Sequence, residues 1–236
     1  MFDSASQIPG DFNLDRRLIP RVDPARRAHG DAIYTLARTS ELLNEDTGGH
    51  IMRIRAVVQH IALALGFEPD DAEALGLDAM LHDVGKLTIP PDVLAKPGGL
   101  SREERMLMES HTIRGQRMLS VRPAMLRAAR IARSHHERYD GGGYPDGLVG
   151  DAIPIEARIT ATADVLDALF SDRCYKEAWT YQQALEEVCR LAGTQLDPMV
   201  TDALRKVSDA GSLREALGLP PNDPGPRQPD PHRPSQ

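Results

Sequence analysis

The spacing of apolar residues is the feature that most limits what this chain can fold into. From Asp31 onward, apolar residues recur at intervals of three and four, and no stretch alternates between apolar and polar residues as a strand would. This pattern predicts an all-α fold. Helices are expected over residues 31–43, 47–65, 70–83, 101–120, 123–135, 154–170, 180–191 and 198–207.

Two of these helices have well-defined starts. Ser101 is followed three residues later by Glu104, and Thr180 is followed three residues later by Gln183. In this capping-box pattern, the hydroxyl group and the Glu or Gln side chain each satisfy a backbone N–H group that the helix leaves unpaired. We therefore expect a helix to begin after each of the two hydroxyl residues.

The chain divides by composition into three parts. Residues 1–30 are of mixed character and form an N-terminal extension, and residues 31–206 carry the helical pattern of one domain. Residues 207–236 are predicted to be a Pro-rich tail. The sequence after Gly218, LPPNDPGPRQPDPHRPSQ, cannot bury enough apolar surface to offset the entropy of ordering, so we expect disorder there.

Charge and composition exclude several classes of protein. The formal net charge is -7, with 28 Lys and Arg against 35 Asp and Glu, which disfavours binding to nucleic acid polymers. The two cysteines, Cys174 and Cys189, form neither a disulfide framework nor a zinc-finger spacing. No apolar run reaches the ~20 residues of a spanning helix. A cytoplasmic protein without membrane insertion is expected.

Five of the eight histidines form a set that lies near helix ends or on predicted helices that could converge, together with several aspartates. Imidazole and carboxylate ligands without thiolate suit manganese, iron or zinc. A carboxylate such as Asp83 can bridge two ions ~3.5–4 Å apart while histidines cap each of them. The histidines are His50, His82, His111, His135 and His136, and the aspartates are Asp46, Asp83, Asp164 and Asp167.

Each of these features taken alone has a plain structural explanation. A His-Asp dipeptide is common at helix ends, and the His135-His136 pair could be a polar last turn favoured by the helix dipole. Three glycines in succession, Gly141 to Gly143, more often form a flexible turn than a functional loop. The combination of these features, and not any one of them, indicates a metal site.

Two stretches, HDVGKLTIP at residues 82–90 and HHERYDGGGYP at residues 135–145, resemble the HD-GYP family of metal-dependent phosphohydrolases. The resemblance covers about residues 31 to 206, in the order and spacing of the family. Further matching segments are EDTGGH at 45–50, LAKPGGL at 94–100, IPIEARI at 153–159, DVLDAL at 164–169, RCYK at 173–176 and LDP at 196–198, together with His111.

The resemblance implies a helical bundle with a metal centre in its core, which holds two divalent ions, commonly iron or manganese. A third ion depends on Asp46, which stands where members with three metals have Glu. Asp83 and Lys86 would act on the scissile phosphate. The implied metal ligands are Asp46, His50, His82, Asp83, His111, His135, His136 and Asp164, and the implied substrate contacts are Tyr144, Asp167, Arg173 and Lys176.

The activity that the resemblance implies is hydrolysis of the bacterial second messenger cyclic di-GMP to pGpG by a hydroxide that bridges the metals. Further cleavage to GMP would depend on a third metal. A diguanylate cyclase or another signalling protein is a candidate partner. Two alternatives stay open: a non-catalytic sensor or docking module for signalling partners, and an HD enzyme for another cyclic dinucleotide or nucleotide phosphate.

Overall fold

The computed structural model describes residues 24–41, 49–170, 179–217 and 219. Within these ranges the chain forms no β-strand, only an isolated bridge between Ala192 and Leu196, and the predicted all-α fold is confirmed. No helix in the same ranges is long and apolar enough to cross a bilayer. The α-helices are α1 (Pro24–Glu41), α2 (Gly49–Ala64), α3 (Pro69–Ala79), α4 (Pro91–Leu94), α5 (Arg102–Glu109), α6 (His111–Leu119), α7 (Leu126–Ser134), α8 (Ile155–Phe170), α9 (Tyr181–Arg190), α10 (Pro198–Asp209) and α11 (Ser212–Ala216).

Helix α2 lies at the centre of the bundle and packs against α3, α8 and α10. Its sequence, GHIMRIRAVVQHIALA, is apolar on most of its surface, and Ile54, Val57, Val58 and Ile61 are completely buried. Each buried aliphatic side chain of this size contributes ~1.5–3 kcal/mol relative to its exposed state. The core therefore fixes the position of α2, whose second residue is His50.

Core residues lie next to the predicted ligands along the chain. Ile51 follows His50 and Leu81 precedes His82, and both apolar side chains belong to one buried cluster. Leu166, which lies between the two aspartates of α8, belongs to the larger cluster around α2. The backbone at each predicted ligand is thus held by its apolar neighbours, which makes the directions of the polar side chains reproducible.

Both predicted capping boxes are present. The Ser101 hydroxyl accepts a hydrogen bond from the backbone N–H of Glu104, and the Glu104 carboxylate accepts one from the backbone N–H of Ser101. Thr180 and Gln183 form the same reciprocal pair at the start of α9.

The predicted single helix over residues 101–120 is wrong, because the chain breaks at Ser110 into α5 and α6. The Ser110 hydroxyl donates to the carbonyl of Leu107, and the His111 ring donates to the carbonyl of Met108. Side-chain donors of this kind compete with backbone N–H groups for helical carbonyls. The break places His111, which is buried, at the first position of a new helix.

The predicted domain boundaries stay a prediction, and the helices of the described residues extend past residues 31 and 206. Helix α1 begins at Pro24, inside the predicted extension, and α10 continues to Asp209, beyond residue 206. Helix α11 follows, and its Leu213 is completely buried in the larger core cluster. Val207, Leu217 and Leu219 pack against the same cluster, so apolar contacts continue into the predicted tail. Residues 220–236 lie outside the described residues.

A short 3-10 helix, Val84–Thr88, approaches the start of α6 so closely that only glycine fits at position 85. A Cβ atom on Gly85 would lie 1.9 Å from the carbonyl oxygen of His111 and 2.7 Å from the amide nitrogen of Gly115. Both are backbone atoms, so relief requires a shift of α6 itself. This contact brings Asp83 beside His111, with 3.3 Å between Oδ1 and Nε2.

We predict that Gly85→Ala lowers the free energy of unfolding by about 3 kcal/mol or more, because the added methyl group overlaps backbone atoms. For a chain of this size, that corresponds to a fall in Tm of ~6–12 °C, measured by scanning calorimetry. Gly99→Ala is the matched control, since a Cβ atom there meets nothing within 4 Å. Equal Tm values for the two variants would contradict the packing argument.

Candidate metal centre

The structure brings together seven of the eight predicted metal ligands, in two groups that could each hold a metal ion. Within each group, the ligand atoms lie within 4.8 Å of one another. Most of these side chains come from the ends of helices or the turns between them, where the chain changes direction toward a common point. The first group is Asp83, His111, His135 and His136, and the second is His50, His82 and Asp164.

The carboxylate of Asp83 lies between the two groups. Its Oδ1 is 3.3 Å from Nε2 of His111 and 3.6 Å from Nε2 of His135, both in the first group. Its Oδ2 is 3.5 Å from Nε2 of His82, in the second group. One oxygen therefore faces each group, which is the arrangement of a carboxylate that bridges two ions.

The orientation of three imidazoles is fixed by backbone carbonyls. Nδ1 of His82 donates to Ala79, and Nδ1 of His111 donates to Met108. Nδ1 of His135 lies 3.1 Å from the carbonyl of Ala132. A carbonyl oxygen can only accept, so each Nδ1 carries a proton, and in the neutral ring each Nε2 presents its lone pair to the centre.

These lone pairs meet no donor. Nε2 of His82, His111 and His135 and Oδ1 of Asp83 are all buried without a hydrogen-bond partner among the described residues. Buried polar atoms are nearly always paired, and here the four unpaired acceptors belong to the two ligand groups. Divalent cations bound by these groups would satisfy the acceptors, so the residues present fit a metal centre.

The protonation states in the first ligand group also fit metal binding. Burial opposes the charge on Asp83, but the charge of Lys86 holds the pKa of Asp83 well below its usual value. Burial lowers the pKa of His135 to about 4, and burial together with neighbouring His135 lowers that of His136. At neutral pH the carboxylate is therefore charged and both imidazoles are neutral, as metal ligands must be.

His50 is oriented by a side chain from another helix. Its Nδ1 lies 2.7 Å from Oδ2 of Asp167, which also forms an ion pair with Arg53. Its Nε2 lies 3.8 Å from Oδ1 of Asp164. Burial opposes the charge on His50, but the hydrogen bond with Asp167 and the charge of Asp164 raise the pKa of His50 to about 9.

The predicted substrate contact through Asp167 stays a prediction, and the structure places this carboxylate beside His50 and Arg53. This side chain is only 1% exposed, and both of its oxygens are bound by His50 and Arg53 on α2. The Asp167 carboxylate is placed to orient the His50 imidazole through its Nδ1 atom, as carboxylates do for histidines in many metal sites.

Lys86 lies at the edge of the same carboxylate. Its Nζ is 2.5 Å from Oδ2 of Asp83, and the lysine side chain is 22% exposed. The predicted position of this cation beside the metal centre therefore agrees with the structure. Its contact with the scissile phosphate stays a prediction.

The glycine loop places Tyr144 over the first ligand group. The Tyr144 ring stacks on the His136 ring, with 4.8 Å between the centroids, and the Tyr144 N–H donates to the His136 carbonyl. Only glycine fits at position 143, because a Cβ atom there would lie 2.3 Å from the amide nitrogen of Arg138. Burial raises the pKa of the Tyr144 phenol, which stays protonated at neutral pH.

Two residues of the site were missed by sequence reasoning. The buried carboxylate of Glu137 accepts hydrogen bonds from the N–H groups of Asp146 and Leu148, and so fixes the loop around Tyr144. Arg53 fixes Asp167. The available signals were an acid directly after the two histidines and an arginine three residues after His50.

The predicted site residues Asp46, Arg173 and Lys176 lie outside the described residues.

We predict that Glu137→Gln loosens the loop and costs about 1–3 kcal/mol of stability, because the amide has one acceptor oxygen where two N–H groups require acceptors. The measurements are thermal unfolding and the rate of limited proteolysis between residues 137 and 150. Glu68→Gln, an exposed exchange of the same chemistry at the start of α3, is the control. Cleavage of Glu137→Gln at the wild-type rate would show that the carboxylate does not hold the loop.

Comparisons with known proteins identify the family of this chain. The family model described as HD domain matches residues 32–200. The chain is 42% identical over 195 residues to the cyclic di-GMP phosphodiesterase response regulator RpfG of Xanthomonas campestris, covering 82% of this chain and 52% of that protein. It is 39% identical over 181 residues to the 3'3'-cGAMP-specific phosphodiesterase 2 of Vibrio cholerae, covering 76% and 35%. The chain thus spans about half, or less, of the length of these relatives.

Solved structures show the same fold. A cyclic GMP-AMP-specific phosphodiesterase of V. cholerae superposes with a TM-score of 0.60 at 18% identity, over 81% of this chain and 54% of that one. An HDG"Y"P protein from Bdellovibrio bacteriovorus superposes with a TM-score of 0.54 at 20% identity, over 78% and 63%. The matched family model, the fold and the ligand geometry agree: the chain belongs to the HD domain family, as the HD-GYP resemblance of its sequence predicts.

Proposed function

We propose that this chain is a metal-dependent phosphodiesterase that hydrolyses cyclic di-GMP to linear pGpG. The observation that carries the proposal is the position of the Asp83 carboxylate, which directs one oxygen to each of the two ligand groups. Three histidine Nε2 atoms of these groups have no hydrogen-bond partner among the described residues. We further propose that the two groups bind one divalent ion each, with iron and manganese as the leading candidates.

Hydrolysis of the phosphodiester requires positive charge beside the phosphate and an activated water molecule. Divalent ions bound by these residues would polarise the phosphate and lower the pKa of a bound water molecule. Lys86 holds the Asp83 carboxylate in its orientation and adds positive charge at the edge of the centre. The protonated phenol of Tyr144 can donate a hydrogen bond to the phosphate or the guanine base of the substrate. Arg173 and Lys176 are proposed to bind the same groups.

The choice of cyclic di-GMP is supported by several relatives that carry this activity in their names, one of them at 42% identity. A second candidate substrate, 3'3'-cGAMP, is favoured by relatives named for that dinucleotide. The two differ at one base, and the metal centre faces the phosphate that both share. Discrimination must therefore come from contacts to the bases.

The experiment is a chromatographic assay of cyclic di-GMP and 3'3'-cGAMP with protein purified without oxygen and analysed for metal. We expect cyclic di-GMP to be converted to pGpG with the higher kcat/KM. Faster turnover of 3'3'-cGAMP would support the second candidate. Tight binding of either dinucleotide without turnover would support a sensor or a docking module for a diguanylate cyclase or another signalling protein, and would contradict the enzymatic proposal.

We predict that Asp83→Asn lowers turnover by more than about 100-fold and depletes both metals, because the shared carboxylate leaves both groups at once. The measurements are metal content per chain and product formation on the same sample. Asp92→Asn, which removes an exposed carboxylate on α4, is the control and should match the wild type. A folded Asp83→Asn protein with normal metal content and turnover would refute the proposed centre.

The number of metals can be tested at Asp46. This side chain is shorter than Glu by one methylene group, ~1.3 Å, so we predict two tightly bound metals and a reaction that stops largely at pGpG. Asp46→Glu should raise the metal content toward three and increase the ratio of GMP to pGpG. A wild-type protein with three metals that proceeds efficiently to GMP would show that Asp46 itself is a ligand.

A further inference from the structure

We propose that Arg53 is a positioning residue for the second ligand group: it fixes the Asp167 carboxylate, which in turn fixes the His50 imidazole toward Asp164. Arg53 itself belongs to neither ligand group. The inference rests on the proposed function in one respect, namely that the group of His50, His82 and Asp164 holds a metal ion.

Two pairs of residues join α2 to α8 at the same level of the bundle. His50 and Arg53 are three residues apart on α2, and Asp164 and Asp167 are three residues apart on α8, so each pair lies on one face of its helix. His50 reaches both aspartates, with Nδ1 2.7 Å from Asp167 and Nε2 3.8 Å from Asp164. Arg53 binds Asp167 with two nitrogens, Nε to Oδ1 and Nη2 to Oδ2 at 3.1 Å.

His50 needs this support more than the other histidines do. His82, His111 and His135 each donate to a carbonyl three or four residues earlier in their own turn, so the local backbone sets their orientation. The Nδ1 partner of His50 is instead a side chain 117 residues further along the chain. Its orientation is therefore only as well defined as that of Asp167.

Asp167 in turn requires a cation that holds both of its oxygens. The carboxylate is buried at 1% exposure, and a buried charge is tolerated only when it is paired and hydrogen-bonded. The planar guanidinium group matches the carboxylate with two parallel hydrogen bonds, which fix its rotation as well as its charge. The guanidinium group of Arg53 also lies over the Phe170 ring, with 5.9 Å between Cζ and the ring centroid.

The effect of Arg53 should be confined to one metal. Two of the three residues in its ligand group lie on α2 and α8, the helices that Arg53 joins. The other group, Asp83, His111, His135 and His136, contains no residue of either helix. Loss of Arg53 should therefore weaken the second site and leave the first in place.

The test is calorimetric titration of metal-free protein with Mn²⁺, together with metal content per chain after gel filtration. We expect two sites in the wild type, and in Arg53→Gln a loss of affinity of about 10–100-fold at one site only, the usual effect of removing a group that supports a ligand. Arg53→Lys, which keeps the charge but not the paired hydrogen bonds, should lie between the two. Arg55→Gln is the matched control, because Arg55 lies on the same helix and pairs with Glu73 at 3.6 Å, away from both groups.

A merely structural role for Arg53 would lower the Tm of the metal-free protein and affect both sites equally, which would overturn the inference. Wild-type affinity at both sites in a folded Arg53→Gln protein would also overturn it. If Arg53→Gln does not fold, Asp167→Asn has nearly the same shape as the wild type and should show the same selective loss; equal affinity at both sites there would refute the inference. A wild-type chain that binds no Mn²⁺ or Fe²⁺ would instead refute the proposed function, so the two failures are distinguishable.

Discussion

The architecture of the site depends on one electrostatic constraint: acceptor atoms are buried face to face with no donor between them. Oδ1 of Asp83 meets Nε2 of His111 and His135, and none of these atoms has a hydrogen-bond partner in the described part of the chain. An unsatisfied buried polar group costs about 1–3 kcal/mol, more when it is charged. A fold that keeps such atoms together must gain a compensating interaction, and bound cations supply it.

The helical bundle makes this arrangement possible in two different ways. His82, His111 and His135 are oriented by backbone carbonyls of their own turns, so the local backbone conformation sets the direction of these imidazoles. The orientation of His50 is set by the side chains of Asp167 and Arg53, on α8 and α2. The position of Tyr144 is set by a loop that the buried Glu137 carboxylate stabilises. The site thus combines a part fixed by local backbone geometry with parts that depend on long-range contacts.

This division explains how much the sequence could predict. The all-α fold, the capped starts of α5 and α9 and the convergence of seven predicted ligands follow from periodicity, capping and motif spacing, which are local signals. The break at Ser110 was missed because side-chain donors replaced helical hydrogen bonds, an effect that apolar spacing does not report. The contacts of Asp167 with His50 and Arg53 were not predicted, because these partners lie more than 110 residues earlier in the chain. The packing of Leu213 on the core was missed because the segment around it is short and mostly polar.

The central claim is that one carboxylate, that of Asp83, is shared by two metal ions. Anomalous diffraction from crystals grown with Mn²⁺ measures this directly, since it locates each ion independently of the protein model. The account predicts two peaks ~3.5–4 Å apart, one beside each oxygen of Asp83, with the His111 and His135 imidazoles on one ion and the His82 imidazole on the other. A single peak, or two peaks that do not both contact Asp83, would contradict it.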